Sequence, residues 1–344
     1  MRDKIPGIDK VFGYPALHFV KNPEIRAGDQ IRSMKYYPRP ESGLDIHEVN
    51  LAIEEAFREH GTGNFQMPPK VYILFPNGDF RTMPAYLPAE QLAGIKCVNV
   101  HPANPGKGLP TVMALTIILD IETGLPLAIL NATGLTDLRT GAAGAIATRY
   151  LARKRSVTIG LVGTGRQAAA QLEAISREIE VTGVRVWSRK EESAEKFVKK
   201  FSRFDCRTGT LPFVCDSDVI VTTTPSRSPV VMDEWIHEGT HINAIGADAP
   251  GKEELDPAIL KRSMVIVDDP VQAIHSGEIN VPIRQGLFSP EEISGTLGEV
   301  VLGRKKRAGN EQITVFDSTG LAIQDLAIAA IAMKNGKFLE LEFP

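Results

Sequence analysis

From Asp45 onward apolar residues recur at helical spacing: Val49, Ile53, Ala56 and Phe57 share one face, Asp45 is a suitable N-cap and Gly61 a stop. An amphipathic helix is predicted there. Beyond it Lys70–Phe75, Phe80–Met83, Ile95–Val100 and Val112–Ile118 alternate or run apolar between turn signals such as Pro76-Asn77-Gly78-Asp79, predicting strands of a mostly antiparallel sheet. From Arg139 the helical period returns through Ala142, Ile146, Tyr150 and Leu151. Short apolar strands then alternate with polar helices: Val157–Val162, Val184–Trp187, Val219–Thr223, His241–Ile245, Val265–Val267 and Ile313–Phe316. Alternation of that kind predicts a parallel, doubly wound sheet. A last helix, from about Leu321 to Met333, follows the sheet and is expected to return to the first half. The fold class is therefore α/β: a doubly wound domain over residues 140–317, and a discontinuous α+β domain over 1–139 and 318–344. The first 43 residues, broken by Pro6, Pro15, Pro23, Pro38 and Pro40, predict no regular element and are expected to wrap the surface.

Composition narrows the partners. The 344 residues are 43% hydrophobic and 24% charged, an ordinary globular balance. Lys plus Arg number 39 against 42 Asp plus Glu, so no basic field exists to hold a nucleic acid backbone. The most apolar stretch, Thr111–Leu130, is interrupted by Asp120 and Glu122, short of the about 20 unbroken apolar residues a membrane span needs. Arg2, Asp3 and Lys4 precede no apolar run, so no secretory leader is expected. Three cysteines, Cys97, Cys206 and Cys215, lack paired metal spacing; they predict a reduced, cytoplasmic protein without a metal site. His101 reads as a loop-shaping residue, and Arg304-Lys305-Lys306-Arg307 as a solvated loop.

The strand Val157–Val162 runs directly into Gly163-Thr164-Gly165-Arg166-Gln167-Ala168, and the following residues read as helix. A glycine loop between a strand and a helix, with a second strand near Val184, is the context of a dinucleotide-binding turn. Gly163 permits the tight bend, Gly165 lets backbone approach a pyrophosphate, and the helix N-terminus offers unpaired N–H groups. Where an NAD-preferring site carries Asp or Glu, after the second strand, this chain reads Ser188-Arg189-Lys190. Ser188 can donate to a 2′-phosphate and the two cations can neutralise it, so NADP is the expected cofactor and NAD the alternative. The strand end at Thr223 and Thr224 is expected to face the same cofactor.

Several further stretches resemble the ornithine cyclodeaminase/mu-crystallin family, and within it the archaeal-type alanine dehydrogenase branch. They are Met67-Pro68-Pro69-Lys70, Arg81-Thr82-Met83-Pro84, Gly94-Ile95-Lys96-Cys97, His101-Pro102-Ala103-Asn104, Gly108-Leu109-Pro110-Thr111, Leu138-Arg139-Thr140-Gly141, Gly246-Ala247-Asp248-Ala249-Pro250-Gly251-Lys252 and Phe316-Asp317-Ser318-Thr319-Gly320-Leu321. The resemblance spans roughly residues 44–335 and leaves the first 43 unexplained. It implies a Rossmann-type dinucleotide domain, a substrate domain that forms a homodimer, and a cleft holding nicotinamide against an amino or imino acid. Lys70, Lys96 and Arg139 match substrate-binding cations, suited to a carboxylate. Thr111 matches a position near nicotinamide and substrate, and Ser318, Thr319 and Gly320 match the loop that approaches the nicotinamide. Asp248 matches the catalytic carboxylate, although on residue types alone an Asp before Ala-Pro-Gly is an Asx-turn former.

Arg81 stands where cyclodeaminases carry a Glu suited to the distal ammonium of ornithine; the alanine dehydrogenase branch has Arg there, which implies a substrate-binding role, joining Lys70 in holding the carboxylate or limiting the pocket to short side chains. The resemblance therefore implies an oxidoreductase interconverting a small L-amino acid with its 2-oxo acid and ammonia by hydride transfer. In it Asp248 serves as general acid/base, and Lys96 stabilises developing negative charge. Three alternatives remain at this point: an ornithine cyclodeaminase, a reductase of cyclic imino acids such as pyrroline-2-carboxylate, and a non-catalytic NADP-binding protein of the mu-crystallin type.

Overall fold

The computed structural model describes residues 33–342. The first sheet contains β1 (Ser33–Tyr37), β2 (Val71–Phe75), β3 (Gly78–Leu87), β4 (Leu92–Val100), β5 (Val112–Leu119), β6 (Pro126–Asn131) and, from the far end of the chain, β17 (Leu339–Glu342). Its order is β17-β1-β6-β5-β4-β3-β2, antiparallel except where β1 meets β6. The second sheet contains β7 (Ser156–Val162), β8 (Glu180–Trp187), β9 (Cys206–Thr208), β10 (Val219–Thr222), β12 (His241–Ala244), β14 (Ser263–Val267), β15 (Gly295–Thr296) and β16 (Ile313–Asp317). It is parallel throughout, in the order β15-β14-β16-β12-β10-β7-β8-β9. A small pair, β11 (Arg227–Val231) and β13 (Glu253–Leu255), lies beside it.

Helices α1 (Ile46–Thr62), α2 (Thr133–Leu151) and α10 (Ala322–Asn335) fill the space between the sheets. Their apolar residues join those of both sheets in one core, with Ile53 and Phe57 of α1, Ile146 of α2, Ile328 of α10, Leu130 of β6 and Phe316 of β16 all buried. The second sheet is further covered by α3 (Arg166–Ile175), α4 (Glu191–Lys200), α5 (Leu211–Cys215), α6 (Pro257–Lys261), α7 (Pro270–Ser276), α8 (Asn280–Arg284) and α9 (Leu297–Val301). The fold class expected from the sequence is the one observed, and the last helix does return to the first sheet, packing on β3, β4 and β5.

Several boundaries differ for physical reasons. Asp45 caps α1 as expected, accepting from the backbone N–H groups of His47 and Glu48, but Gly63, in the left-handed region, ends the helix one half-turn beyond Gly61. The hairpin turn is Pro76-Asn77, with Gly78 already paired to Phe75. Helix α2 begins at Thr133 rather than near Arg139; it is buried on nearly all sides, so it has no amphipathic period to betray its first turns. Residues 33–43, expected to lack regular structure, include β1, which is held by partners 90 and 300 residues away. The expectation for residues 1–32 lies outside the described residues.

A buried polar chain ties α2 to the second sheet. Asn243 Nδ2 donates to the Gly144 carbonyl (3.0 Å) and to Thr148 Oγ1 (2.9 Å), while its Oδ1 meets His241 Nε2 at 3.0 Å. His241 Nδ1 meets Thr314 Oγ1 at 2.9 Å, and burial drives the imidazole pKa down to about 3, so the ring is neutral. Asn243→Ala removes three of these bonds and strands their partners, so a loss of about 3 kcal/mol is expected. An unchanged unfolding midpoint in urea counts against this network.

Candidate active site

The functional loops all leave the carboxyl ends of parallel strands. The Gly163 turn follows β7, Ser188-Arg189-Lys190 follows β8, Thr223-Thr224 follows β10, the Asp248 loop follows β12, and Ser318-Thr319-Gly320 follows β16. From β7 the chain proceeds to β8 and β9 on one side, then crosses to β10 on the other. Crevices at such a switch point are where open α/β sheets bind ligands.

The Gly163 loop fits a dinucleotide. Gly163 has φ of +113°, and a Cβ there would lie 2.6 Å from Thr223 Oγ1, so only glycine suits the turn. A Cβ on Gly165 would meet nothing within 4 Å, leaving open space over the backbone into which a pyrophosphate can fit. Gly165 is the N-cap of α3 and supplies no side-chain bond, so the first N–H groups of that helix are free of a cap. Thr164 is half-buried in the loop. Arg166 Nε and Gln167 Nε2 both donate to Asp137, at 2.6 and 2.9 Å, fastening the turn to α2. Ser188 is half-buried, and Arg189 and Lys190 are exposed beside the strand end.

Beside this loop lies a cavity of about 110 Å³ between the two sheets, small against the several hundred cubic ångströms of a drug-sized ligand site. Lys70, Arg81, Lys96, Arg139, Asp248, Gln167 and the Ser318–Gly320 loop line it. Strand register explains the convergence. Arg81 and Met83 of β3 stand opposite Val98 and Lys96 of β4, and Lys96 opposite Thr116 of β5, all on the inner face. Thr111 is not among the lining residues: its carbonyl accepts from the His101 N–H (2.8 Å), and Val112 lines the wall instead.

The charges are paired in a definite pattern. Arg81 is clamped by Asp79 (Nε–Oδ1 2.7 Å, Nη2–Oδ2 3.0 Å) and extends Nη1 to Asp248 Oδ2 at 3.0 Å. Its guanidinium lies over the Tyr72 ring, 5.3 Å from the centroid. Asp248 also pairs with Lys252. Desolvation raises the Asp248 pKa, but Lys252 and Arg81 overcome that and hold it well below the usual range, so it is a carboxylate at neutral pH. About one third of its side chain remains open to the cleft. Lys70 donates to the Thr319 carbonyl, and burial, opposed by Asp268, lowers its ammonium to about 8. Arg139 Nη1 donates to Gln324 Oε1 at 3.2 Å, beneath Gly320, whose φ of +80° and missing Cβ leave room for the guanidinium.

The profile of the ornithine cyclodeaminase/mu-crystallin family matches residues 33–337. The chain belongs to that family. An alanine dehydrogenase from Archaeoglobus fulgidus is 52% identical over 298 residues, covering 86% of this chain and 92% of its own. The solved structure of an archaeal alanine dehydrogenase dimer with bound NAD has 49% identity and a TM-score of 0.86, covering 89% of this chain and 99% of its own. Thermococcus litoralis Δ1-pyrroline-2-carboxylate reductase, solved with NADH and L-proline, has 35% identity and a TM-score of 0.85, covering 88% and 97%.

Four residues that hold this family member's site together were not singled out by sequence reading. Asp79 clamps Arg81 and Lys252 pairs with Asp248; each stood inside or beside a recognised motif. Asp268 accepts from the backbone N–H groups of Thr319 and Gly320, both at 2.6 Å, pinning that loop. Glu254, fully buried, accepts from Thr224 N (2.5 Å), Thr222 Oγ1 (2.7 Å) and Gly246 N (2.8 Å), joining the loops after β10 and β12. No local pattern marks an acid whose partners are backbone groups of distant loops. Among the described residues, no cluster of His, Cys, Asp and Glu suits a metal ion, and no helix is long and apolar enough to cross a membrane.

Proposed function

We propose that this protein is an NAD(P)-dependent oxidoreductase that interconverts a small L-amino acid and water with the 2-oxo acid, ammonium and a proton. One observation carries the reading: Lys70, Arg81, Lys96 and Arg139 converge with Asp248 on a single small cavity beside a dinucleotide turn. A bound nicotinamide supplies the two-electron acceptor or donor for Cα. The chain supplies the rest. Lys96 and Arg139 hold the substrate carboxylate and fix Cα, a matter of orientation and electrostatics. Asp248 accepts a proton from the water that adds to the imine carbon and returns it to the departing nitrogen. Arg81, held by Asp79, keeps Asp248 in place and puts a cation where a cyclodeaminase carries its Glu for a distal ammonium.

The likeness to alanine dehydrogenases and to a pyrroline-2-carboxylate reductase supports the reaction class. Cofactor oxidation followed with pyruvate plus ammonium, with pyrroline-2-carboxylate and with ornithine tests it. The first pair is expected to give the highest kcat/KM. Product from ornithine without net cofactor change, or dinucleotide binding without turnover on any of them, overturns the reading.

For the cofactor, the proposal is a preference for NADP over NAD, resting on Ser188, Arg189 and Lys190 at the end of β8 and the absence of a carboxylate at those three positions. Two similar solved structures carry NAD or NADH, so the comparison is a sharp one. The KM for NADPH is expected below that for NADH, and Arg189→Ala is expected to raise the former by about tenfold while sparing the latter. A lower KM for NADH in the unaltered protein rejects the preference.

We also propose a homodimer that pairs through the outer face of the first sheet, where Val71, Ile73, Leu115 and Leu127 stand exposed. Light scattering that finds a monomer counts against it. Cys97, Cys206 and Cys215 are free thiols, which supports a reducing, cytoplasmic setting.

A further inference from the structure

Asp325 lies in the first turn of α10 and does not line the cavity; it stands behind it, with a side chain 4% exposed. Its carboxylate is 2.6 Å from Lys96 Nζ and 3.2 Å from Arg139 Nε. One acid thus faces both cations assigned above to the substrate carboxylate. Lys96 is 1% exposed, and its cross-strand neighbours, Met83 on β3 and Thr116 on β5, carry no charge. The other charges acting on it are Arg139 from α2 and Lys70 ahead of β2, both cations. Desolvation and these two cations therefore oppose an ammonium at Lys96, and Asp325 is the anion that favours it.

We propose that Asp325 is the positioning residue of the carboxylate clamp, holding Lys96 charged and beside Arg139 so that the pair receives an anionic substrate at neutral pH. The inference rests on the amino-acid reading of the site and adds what sets its working range. Two cations and one acid leave a single net positive charge, matched to one carboxylate. Because Asp325 sits behind the cations, it orders them without competing for the side of each that faces the cavity. Arg139 gains a second anchor from Gln324 Oε1, which also accepts from the Leu321 N–H at 3.0 Å, so the start of α10 organises the clamp as a unit. Burial lowers the Lys96 ammonium to about 7 even with Asp325 present. Without that acid the ammonium is lost at a lower pH. The sign follows: carboxylate affinity is full below the Lys96 pKa and falls as pH rises through it.

Calorimetric titration of oxamate, a non-reacting monocarboxylate, into the full-length protein saturated with reduced dinucleotide tests this between pH 5.5 and 8. Wild-type affinity is expected to fall toward the upper end. The deficit of Asp325→Asn relative to wild type is expected to widen about tenfold over that range, one pKa unit being a factor of ten. Asp325→Glu, which keeps the charge, is expected to retain the wild-type pH dependence. Lys96→Arg, whose guanidinium does not titrate there, is expected to flatten it, and this variant decides the matter if Asp325→Asn does not fold. A deficit equal at both ends of the range assigns Asp325 a merely structural role and overturns the proposal, as does a fall in affinity centred near pH 7 that survives Lys96→Arg, distinct from a fall centred near 8, where the Lys70 ammonium titrates. Wild-type protein that binds dinucleotide but no oxamate at any pH instead removes the amino-acid reading itself.

Discussion

Asp248→Asn is expected to lower turnover by about 10² to 10⁴-fold, the usual span for a positioned acid/base, with dinucleotide affinity nearly unchanged. The reasons lie in its surroundings. Arg81 Nη1 at 3.0 Å and the Lys252 ammonium keep the group ionised throughout the neutral range, so the proton-accepting form is the one present, while the same two cations weaken it as a base. Asn preserves the shape but cannot take a proton. Arg81 stays anchored by its two bonds to Asp79, at 2.7 and 3.0 Å, so the substitution does not release a cation into the cavity. Stopped-flow measurement of the chemical step, beside fluorescence titration of the dinucleotide, separates the two effects. Unchanged turnover would falsify the assignment.

Arg139→Met carries the second large effect. A loss of about 3 to 4 kcal/mol in kcat/KM for the 2-oxo acid, equivalent to roughly 10² to 10³-fold, is expected from truncating one member of a buried, hydrogen-bonded charge set. Arg139 is 7% exposed, and its guanidinium touches Asp325 and Gln324 and occupies the room left by Gly320. Arg139→Lys is expected to recover little, because an ammonium cannot offer the planar fork that grips a carboxylate through two N–H groups. The dinucleotide KM should stay near wild type in both. A steady-state analysis in which the dinucleotide KM rises while that of the 2-oxo acid holds would move Arg139 out of the substrate site.

Much of this molecule could be read from the chain before its shape was known, and the exceptions share a cause. The parallel sheet announced itself because its strands are continuous apolar runs between polar helices, as strands buried on both faces must be. The Gly163 turn and the cations were legible through their motifs. What could not be read are partners set by tertiary packing. Helix α2 hid its start because burial erased its periodicity, and β1 gave no signal because its pairing depends on Ala128–Leu130 and Leu339–Glu342. Asp325 went unremarked in the sequence because only the return of α10 lays it against Lys96 and Arg139.

That return has a consequence for biosynthesis. A chain made from its N-terminus can close the parallel sheet once β16 has left the ribosome, since every strand of that sheet precedes Ser318. The other sheet, although β1–β6 come earlier in the chain, is completed later. Its strand β1 takes its outer neighbour from Leu339–Glu342, and Lys96 meets its counter-ion only when α10 docks. The edge of the first sheet and the Lys96–Asp325 pair therefore form only after the segment beyond β16 has been made.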